Sequence, residues 1–219
     1  MTFPEILAGI FEGFPITASV TGLGLAFAIP FALVFGILQY FARGWRRTVV
    51  TAVIEFWRSS PVVVLLFAFY YSLPAFGIVL PAIVVGSMVL GLNIGGYGSQ
   101  SVRAALQSLD QGQVDAGRAL GLQRIQILSL IELPQALKAA FPTFVNLAIQ
   151  LLKGTALVSL ITLTDMTFRA KQISQLQYDP VGIYSALIIA YLIVCYPVTI
   201  LGQRLEAKFG KSADKIVEL

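Results

Sequence analysis

Residues 110–134 read Asp110-DQGQVDAGRALGLQRIQILSLIELP-Pro134, first and last letters included, and they interrupt a chain that is otherwise mostly apolar. The stretch holds Asp110, Asp115, Arg118, Arg124 and Glu132, with glycines at 112, 117 and 121. Ser108 with Gln111, or Asp110 with Gln113, has the spacing of a capping box that opens a short helix. Gln113 to Leu120 continues that helix, with Asp115 near its positive N-terminal end, where a carboxylate is favoured. Gly121 is placed to leave the helix in a left-handed conformation. Leu122 to Leu130 starts a second helix, and Leu133-Pro134 marks a boundary before the next apolar run, with Pro at its first turn. Two short helices meeting at a glycine make a compact polar knob. It is either an ordinary solvated loop or a surface presented to a soluble partner, and spacing alone leaves both open.

The remainder of the chain sets the context. Of 219 residues, 57% are hydrophobic and 12% charged, half the charged fraction of a soluble domain. That composition means an integral membrane protein. The formal net charge of +4 would suggest nucleic acid in a soluble protein, but the basic residues cluster between apolar runs, as membrane orientation requires; no nucleic-acid partner is expected. Cys195 is the only cysteine and histidine is absent, so an internal disulfide is excluded and no metal site is expected. The N-terminal stretch has Glu5 and Glu12 but no Lys or Arg, so a cleavable signal peptide is not expected.

A helix needs about 20 apolar residues to cross the hydrocarbon. Residues 16–41 form the first uncharged run, with Pro30 inside it as an expected kink. Residues 59–102 carry no charge, too long for one span, and Leu73-Pro74-Ala75-Phe76-Gly77 divides them into two. Glu55 and Arg58 lie in a helical lead-in. A fourth span runs from Pro134 or Lys138 to Leu163, interrupted by Lys153; residues 164–180 are mixed, and 181–203 form the last span. The expected fold is all-α, about five transmembrane helices in a single domain over 1–219, because an open sheet edge cannot sit in lipid. Segments 43–58, 103–138 and 204–219 each hold four of the 15 basic residues. The N-terminus is therefore expected outside, and the C-terminus and the 110–134 loop in the cytoplasm.

The loop resembles the EAA loop of binding-protein-dependent ABC importer permeases, whose pattern is Glu-Ala-Ala, a glycine, and a later Leu-Pro. Here the pattern is Asp115-Ala116-Gly117, Arg118-Ala119-Leu120-Gly121 and Ile131-Glu132-Leu133-Pro134. With Gly112-Gln113 before it and Gln135-Ala136 after it, it is similar to the polar amino-acid uptake (histidine, glutamine, arginine) subfamily. Two further blocks fit that subfamily: Phe56-Trp57-Arg58-Ser59-Ser60-Pro61, and Leu152-Lys153-Gly154-Thr155-Ala156-Leu157-Val158-Ser159. The resemblance implies a type I importer transmembrane domain in the bacterial inner membrane, moving polar amino acids or amino-acid-like solutes. It implies two ATP-binding partner subunits that hold ATP and Mg, a second permease chain, identical or similar, and an extracytoplasmic solute-binding protein. The coupling role falls on Gln113, Asp115, Ala116, Gly117, Ala119, Leu120 and Gly121. Departures are specific: Asp115 stands for Glu, Gly117 for the second Ala, Gly154 and Ala156 for Asp and Ser, and Gln100 for Glu.

Lys153 is the only charge well inside a span, at a cost of at least about 2.5–3.5 kcal/mol on insertion scales. Asn146, Gln150 and Lys153 share one helical face, and Thr155, Ser159 and Thr162 form a second polar stripe. Of these, Asn146, Gln150, Lys153, Thr155 and Ser159, with Gln100, make a candidate solute path; the alternative for Lys153 is a structural ion pair or a snorkelling side chain. Gly91, Gly95 and Gly98 permit close helix packing, and Tyr70, Tyr71 and Tyr97 are read as interfacial anchors. There is no phosphate loop of the G-x-x-x-x-G-K-[ST] type, so no catalytic residue is expected here. A stand-alone secondary transporter or channel is the other function class. Such carriers usually keep intramembrane carboxylates for the coupling ion, and only Glu55 comes near.

Overall fold

The computed structural model describes residues 2–217, and side chains as far as Leu205. The basic residues counted beyond Leu205 in the C-terminal tail lie outside the described side chains. Every regular element among the described residues is helical: α1 (Phe3–Phe11), α2 (Phe14–Phe41), α3 (Trp45–Ser59), α4 (Val62–Phe67), α5 (Ala82–Gln107), α6 (Gln111–Ala119), α7 (Arg124–Ile127), α8 (Leu133–Gly154), α9 (Met166–Leu176) and α10 (Pro180–Val217). Four stretches are long and apolar enough to cross a membrane: Phe3–Phe41, Ala82–Gln107, Arg124–Ile161 and Pro180–Leu205. A fifth span arises if α3 and the helical run Val62–Phe76, bent by 96° at their junction, count as one.

The centre of the molecule is the α2–α5 seam. A Cβ added at Gly91 would overlap the Gly24 carbonyl oxygen, one at Gly95 would lie 2.9 Å from the Ala28 carbonyl oxygen, and one at Gly98 2.9 Å from the Ala32 Cβ. The facing positions rise together along both helices, so α2 and α5 run parallel with their backbones nearly touching. Helices in lipid gain no hydrophobic attraction from each other and associate through such small-residue contacts. Around the seam, Val20, Leu66, Val89, Leu90, Leu151, Val158 and Ile161 form the main core.

The bend after α3 has a local cause. Pro61 has no N–H to return to the Trp57 carbonyl, and the Asn93 side chain supplies one instead, donating Nδ2 to Trp57 O at 2.7 Å. Tyr97, expected only as an anchor, donates its hydroxyl to the Arg58 carbonyl at 3.2 Å. Glu55 and Arg58 pair at 2.8 Å along α3.

The stretch before residue 16, to which the sequence reading assigns no element, forms α1, which packs Ile6 and Ile10 against Met166, Ala170, Ile173 and Ile183 of α9 and α10. It turns into α2 at Gly13, where any Cβ would strike the backbone of Asp165 and Met166. Leu133-Pro134 opens α8 with Pro in its first turn, as expected, but it is not a break in the chain's helical course. Helix continues from Arg124 through a π turn at Leu128–Glu132 into α8. Pro134 has no N–H to return to the Leu130 carbonyl, and the wider turn carries the chain past that position.

Candidate functional site

Asp110 opens α6 by accepting from the Gly112 N–H at 2.9 Å. Gln113 does not close a capping box with it; its Oε1 accepts from Gln135 Nε2 at 2.6 Å, which ties α6 to the start of α8. Gly121, at φ +79°, ends the helix as spacing predicts: its N–H donates to the Arg118 carbonyl at 2.9 Å, and the Leu122 N–H to the Gly117 carbonyl at 3.0 Å. This paired closure is the Schellman arrangement.

One face of α6 is buried and the other is open. Val114 and Gly117 point inward, and a Cβ at Gly117 would press on Ile127 and Ile131 side chains at 3.1 and 3.2 Å. The glycine that weakens helix propensity by about 1 kcal/mol is therefore also the contact that seats α6 on the next helix. Gln113, Asp115, Ala116, Ala119, Leu120 and Gly121 are exposed, and among the described residues Asp115 pairs only with Arg118 beside it, at 3.0 Å. Leu120 is 80% and Ile125 71% exposed. Large apolar side chains presented together on a polar loop mark a contact surface.

The knob is clamped to the helix bundle by a contact between residues far apart in the chain. Glu132, 1% exposed, accepts from both Arg124 guanidinium nitrogens, Nη1 and Nη2, and from the Tyr40 hydroxyl at 3.0 Å. The Arg124 guanidinium also lies 4.7 Å from the Phe41 ring centroid. Tyr40 and Glu132 are 92 positions apart, and the only sequence signal was Glu132 itself, a carboxylate in an apolar run.

The candidate path residues separate into three settings. Asn146, Gln150 and Lys153 are exposed along one face of α8. Lys153 alone among them enters a cavity of about 490 Å³ between α8 and α10, lined also by Ala156, Thr167, Tyr191, Cys195 and Tyr196. It makes no ion pair among the described residues. Thr155 and Ser159 are buried in the 3-10 segment Thr155–Ile161 and donate to the Leu152 and Ala156 carbonyls at 2.7 and 2.9 Å. Ser159 also accepts from Lys171 Nζ at 3.0 Å. Gln100 sits elsewhere, donating to Gln39 Oε1 at 2.9 Å, while Gln39 donates to Thr51 Oγ1 at 2.8 Å. That amide ladder joins α5, α2 and α3. Thr162, of the second stripe, is left-handed at φ 69° and shares a hydrogen bond with Tyr70 at 3.0 Å.

Asp165, fully buried, caps α9 by accepting from the Phe168 and Thr167 N–H groups at 2.9 and 3.1 Å. Tyr191 donates to the same carboxylate at 3.3 Å. Burial pushes the Asp165 carboxyl above the usual carboxylate range, partly offset by those N–H donors. Tyr191 and Thr167 belong to the surroundings of Lys153, and the sequence offered no pattern that selects them.

Comparison with known proteins agrees with this architecture. The chain matches the family described as "Binding-protein-dependent transport system inner membrane component" over residues 28–211. It is 33% identical over 197 residues to y4tF of Sinorhizobium fredii, named a probable amino-acid ABC transporter permease protein, covering 87% of this chain and 83% of that one. It is 31% identical over 215 residues to the arginine ABC transporter permease protein ArtM of Haemophilus influenzae, covering 94% of each. A crystal structure of an amino acid ABC transporter with histidines superposes at a TM-score of 0.84 with 26% identity, covering 95% of this chain and 99% of that one. A stand-alone carrier is not favoured. The chain belongs to the binding-protein-dependent transport system inner membrane component family, as a multi-pass permease subunit of an ABC importer in the bacterial inner membrane.

Proposed function

We propose that this permease admits an amino acid or amino-acid-like solute to the cytoplasm by ATP-driven alternating access, with α6 as the docking helix for an ATP-binding partner. Two such partners bind ATP and Mg; this chain supplies the membrane path and no ATPase site. A second permease chain, identical or similar, completes the path, since about five helices are few to enclose one, and an extracytoplasmic binding protein delivers the solute. The N-terminus faces outward, the α6 loop and C-terminus face the cytoplasm, and residues 1–219 act as one permease domain. The observation that carries this reading is the exposed face of α6, where Ala116, Ala119 and Leu120 stand open while Val114 and Gly117 seat the helix. Movement of a docked partner would pass through Glu132 to Tyr40 and into α2.

Relatives named for amino acids support the solute class. Lys153, a cation with no ion pair among the described residues that lines a cavity between α8 and α10, suits a solute carrying a carboxylate. The test is Ala116→Glu in proteoliposomes holding the permease, its ATP-binding subunit and the loaded binding protein. Solute-stimulated ATPase and uptake are expected to separate, with uptake falling at least about tenfold, which corresponds to 1.4 kcal/mol. Unchanged partner capture and uptake in Ala116→Glu would overturn the docking role. Gly121→Glu is the poorer probe, because a side chain at φ +79° strains the backbone as well.

A further inference from the structure

The elbow between α2 and α3 lies at the same end of the molecule as the α6 knob, since Tyr40 of α2 holds Glu132. A groove of about 610 Å³ opens there, lined by Leu38, Phe41, Arg43, Trp45, Arg46 and Val50. Arg43 and Arg46 are exposed and make no ion pair among the described residues; the Arg46 guanidinium lies 6.0 Å from the Trp45 ring centroid. Arg46 and Arg47 also stand in the first turn of α3, whose N-terminus has no side-chain cap. That end of a helix is already positive, so the cations add to the dipole rather than offset it. The arrangement calls for an anion.

The groove also specifies what carries the anion. Val34, Leu38 and Phe41, at i, i+4 and i+7 on α2, are exposed apolar side chains leading from the cationic elbow along the span. Trp45, 73% exposed, stands where the apolar run meets the arginines, the depth at which tryptophan anchors in an interface. A free phosphate would leave this apolar track empty, and an acidic peptide would have to lie against lipid. We propose that the elbow binds one anionic phospholipid, its phosphodiester headgroup between Arg43 and Arg46 and an acyl chain along Val34, Leu38 and Phe41. Basic pockets at helix ends take anionic headgroups by this chemistry. Phe41 is shared: it lines the groove and lies under the Arg124 guanidinium that holds Glu132. Lipid in the groove therefore braces the clamp under α6.

The test is native mass spectrometry of the full-length chain in mild detergent, offered phosphatidylglycerol and phosphatidylcholine at equal concentration. Wild type is expected to retain phosphatidylglycerol in preference, a comparison that needs no variant. Arg43→Gln/Arg46→Gln is expected to weaken retention on the order of 25-fold, at about fivefold for each arginine near the surface. Arg47→Gln, outside the groove lining, is expected to weaken retention less than Arg43→Gln or Arg46→Gln. Equal retention of the two lipids, or a double variant that retains phosphatidylglycerol like wild type, overturns the proposal. So does displacement of the lipid by millimolar inorganic phosphate, which would assign the elbow to a free anion. If the double variant keeps its lipid but no longer captures the ATP-binding subunit, the surface is a protein dock and the proposal is again overturned.

Discussion

Two buried carboxylates hold the two ends of the permease, and they are neutralised in opposite ways. Glu132, beneath the α6 knob, is met by the Arg124 guanidinium and a tyrosine hydroxyl. Asp165, at the turn into α9, has no cation paired to it among the described residues and relies on two backbone N–H groups and the Tyr191 hydroxyl. The first clamp links segments far apart in sequence, so it ties the exposed α6 knob to the bundle. The second is mainly a local cap, with only the tyrosine reaching across. Lys153 enters a cavity with Thr167 and Tyr191, yet it does not ion-pair with Asp165. At one end the cation is paired with the buried carboxylate; at the other it stands apart from it.

That contrast is breakable, beginning with the largest effect. Glu132→Ala strands Arg124, whose side chain is 37% exposed; the loss should be about 2–3 kcal/mol, below the full 3–5 of a buried pair. Limited proteolysis should then cut the loop around residues 120–125 faster, and unchanged cleavage would mean that the clamp is ornamental. Asp165→Ala removes a cap from two N–H groups and should cost about 1–2 kcal/mol in thermal unfolding. Asp165→Asn keeps an accepting oxygen and serves as its partner measurement. Because burial raises the Asp165 pKa above its ordinary 3.8, the folded state holds its proton longer than the unfolded chain. Wild-type stability from this group therefore falls as pH rises from about 4 through the raised value, and Asp165→Asn should flatten that part of the profile. A profile identical in the two proteins would remove Asp165 from the account. Lys153→Met should change stability by less than about 0.5 kcal/mol while solute uptake is lost; full uptake with normal ATPase coupling would return Lys153 to a snorkelling residue.

The sequence was most legible where short-range rules govern. The apolar runs located the spans, Gly121 marked the end of α6, and the glycines at 91, 95 and 98 marked a close helix contact without naming α2 as the partner. Short or irregular elements were less readable. The nine-residue α1 carries Glu5 at its start and is followed by Glu12, so hydrophobicity concealed it, and its partners lie more than 150 positions away. The π turns at Ala68–Ser72 and Leu128–Glu132 change hydrogen-bond register without changing composition. For the candidate path, periodicity placed Asn146, Gln150 and Lys153 on one face, but it could not tell that Thr155 and Ser159 turn inward on a 3-10 segment. Nor could it tell that Gln100 is engaged with Gln39, because that ladder needs three helices to meet.

The α2–α5 seam has a mechanical consequence. With backbone against backbone there is no intervening layer of long side chains to slip or repack, so the two helices behave as a single stiff shaft. One end of that shaft continues through Ser108–Asp110 into α6 and is gripped again by Tyr40; at the other, Gly13 and Thr17 abut the Asp165–Met166 backbone. A twist applied at α6 reaches α9 as rotation of one body, with little of it absorbed on the way.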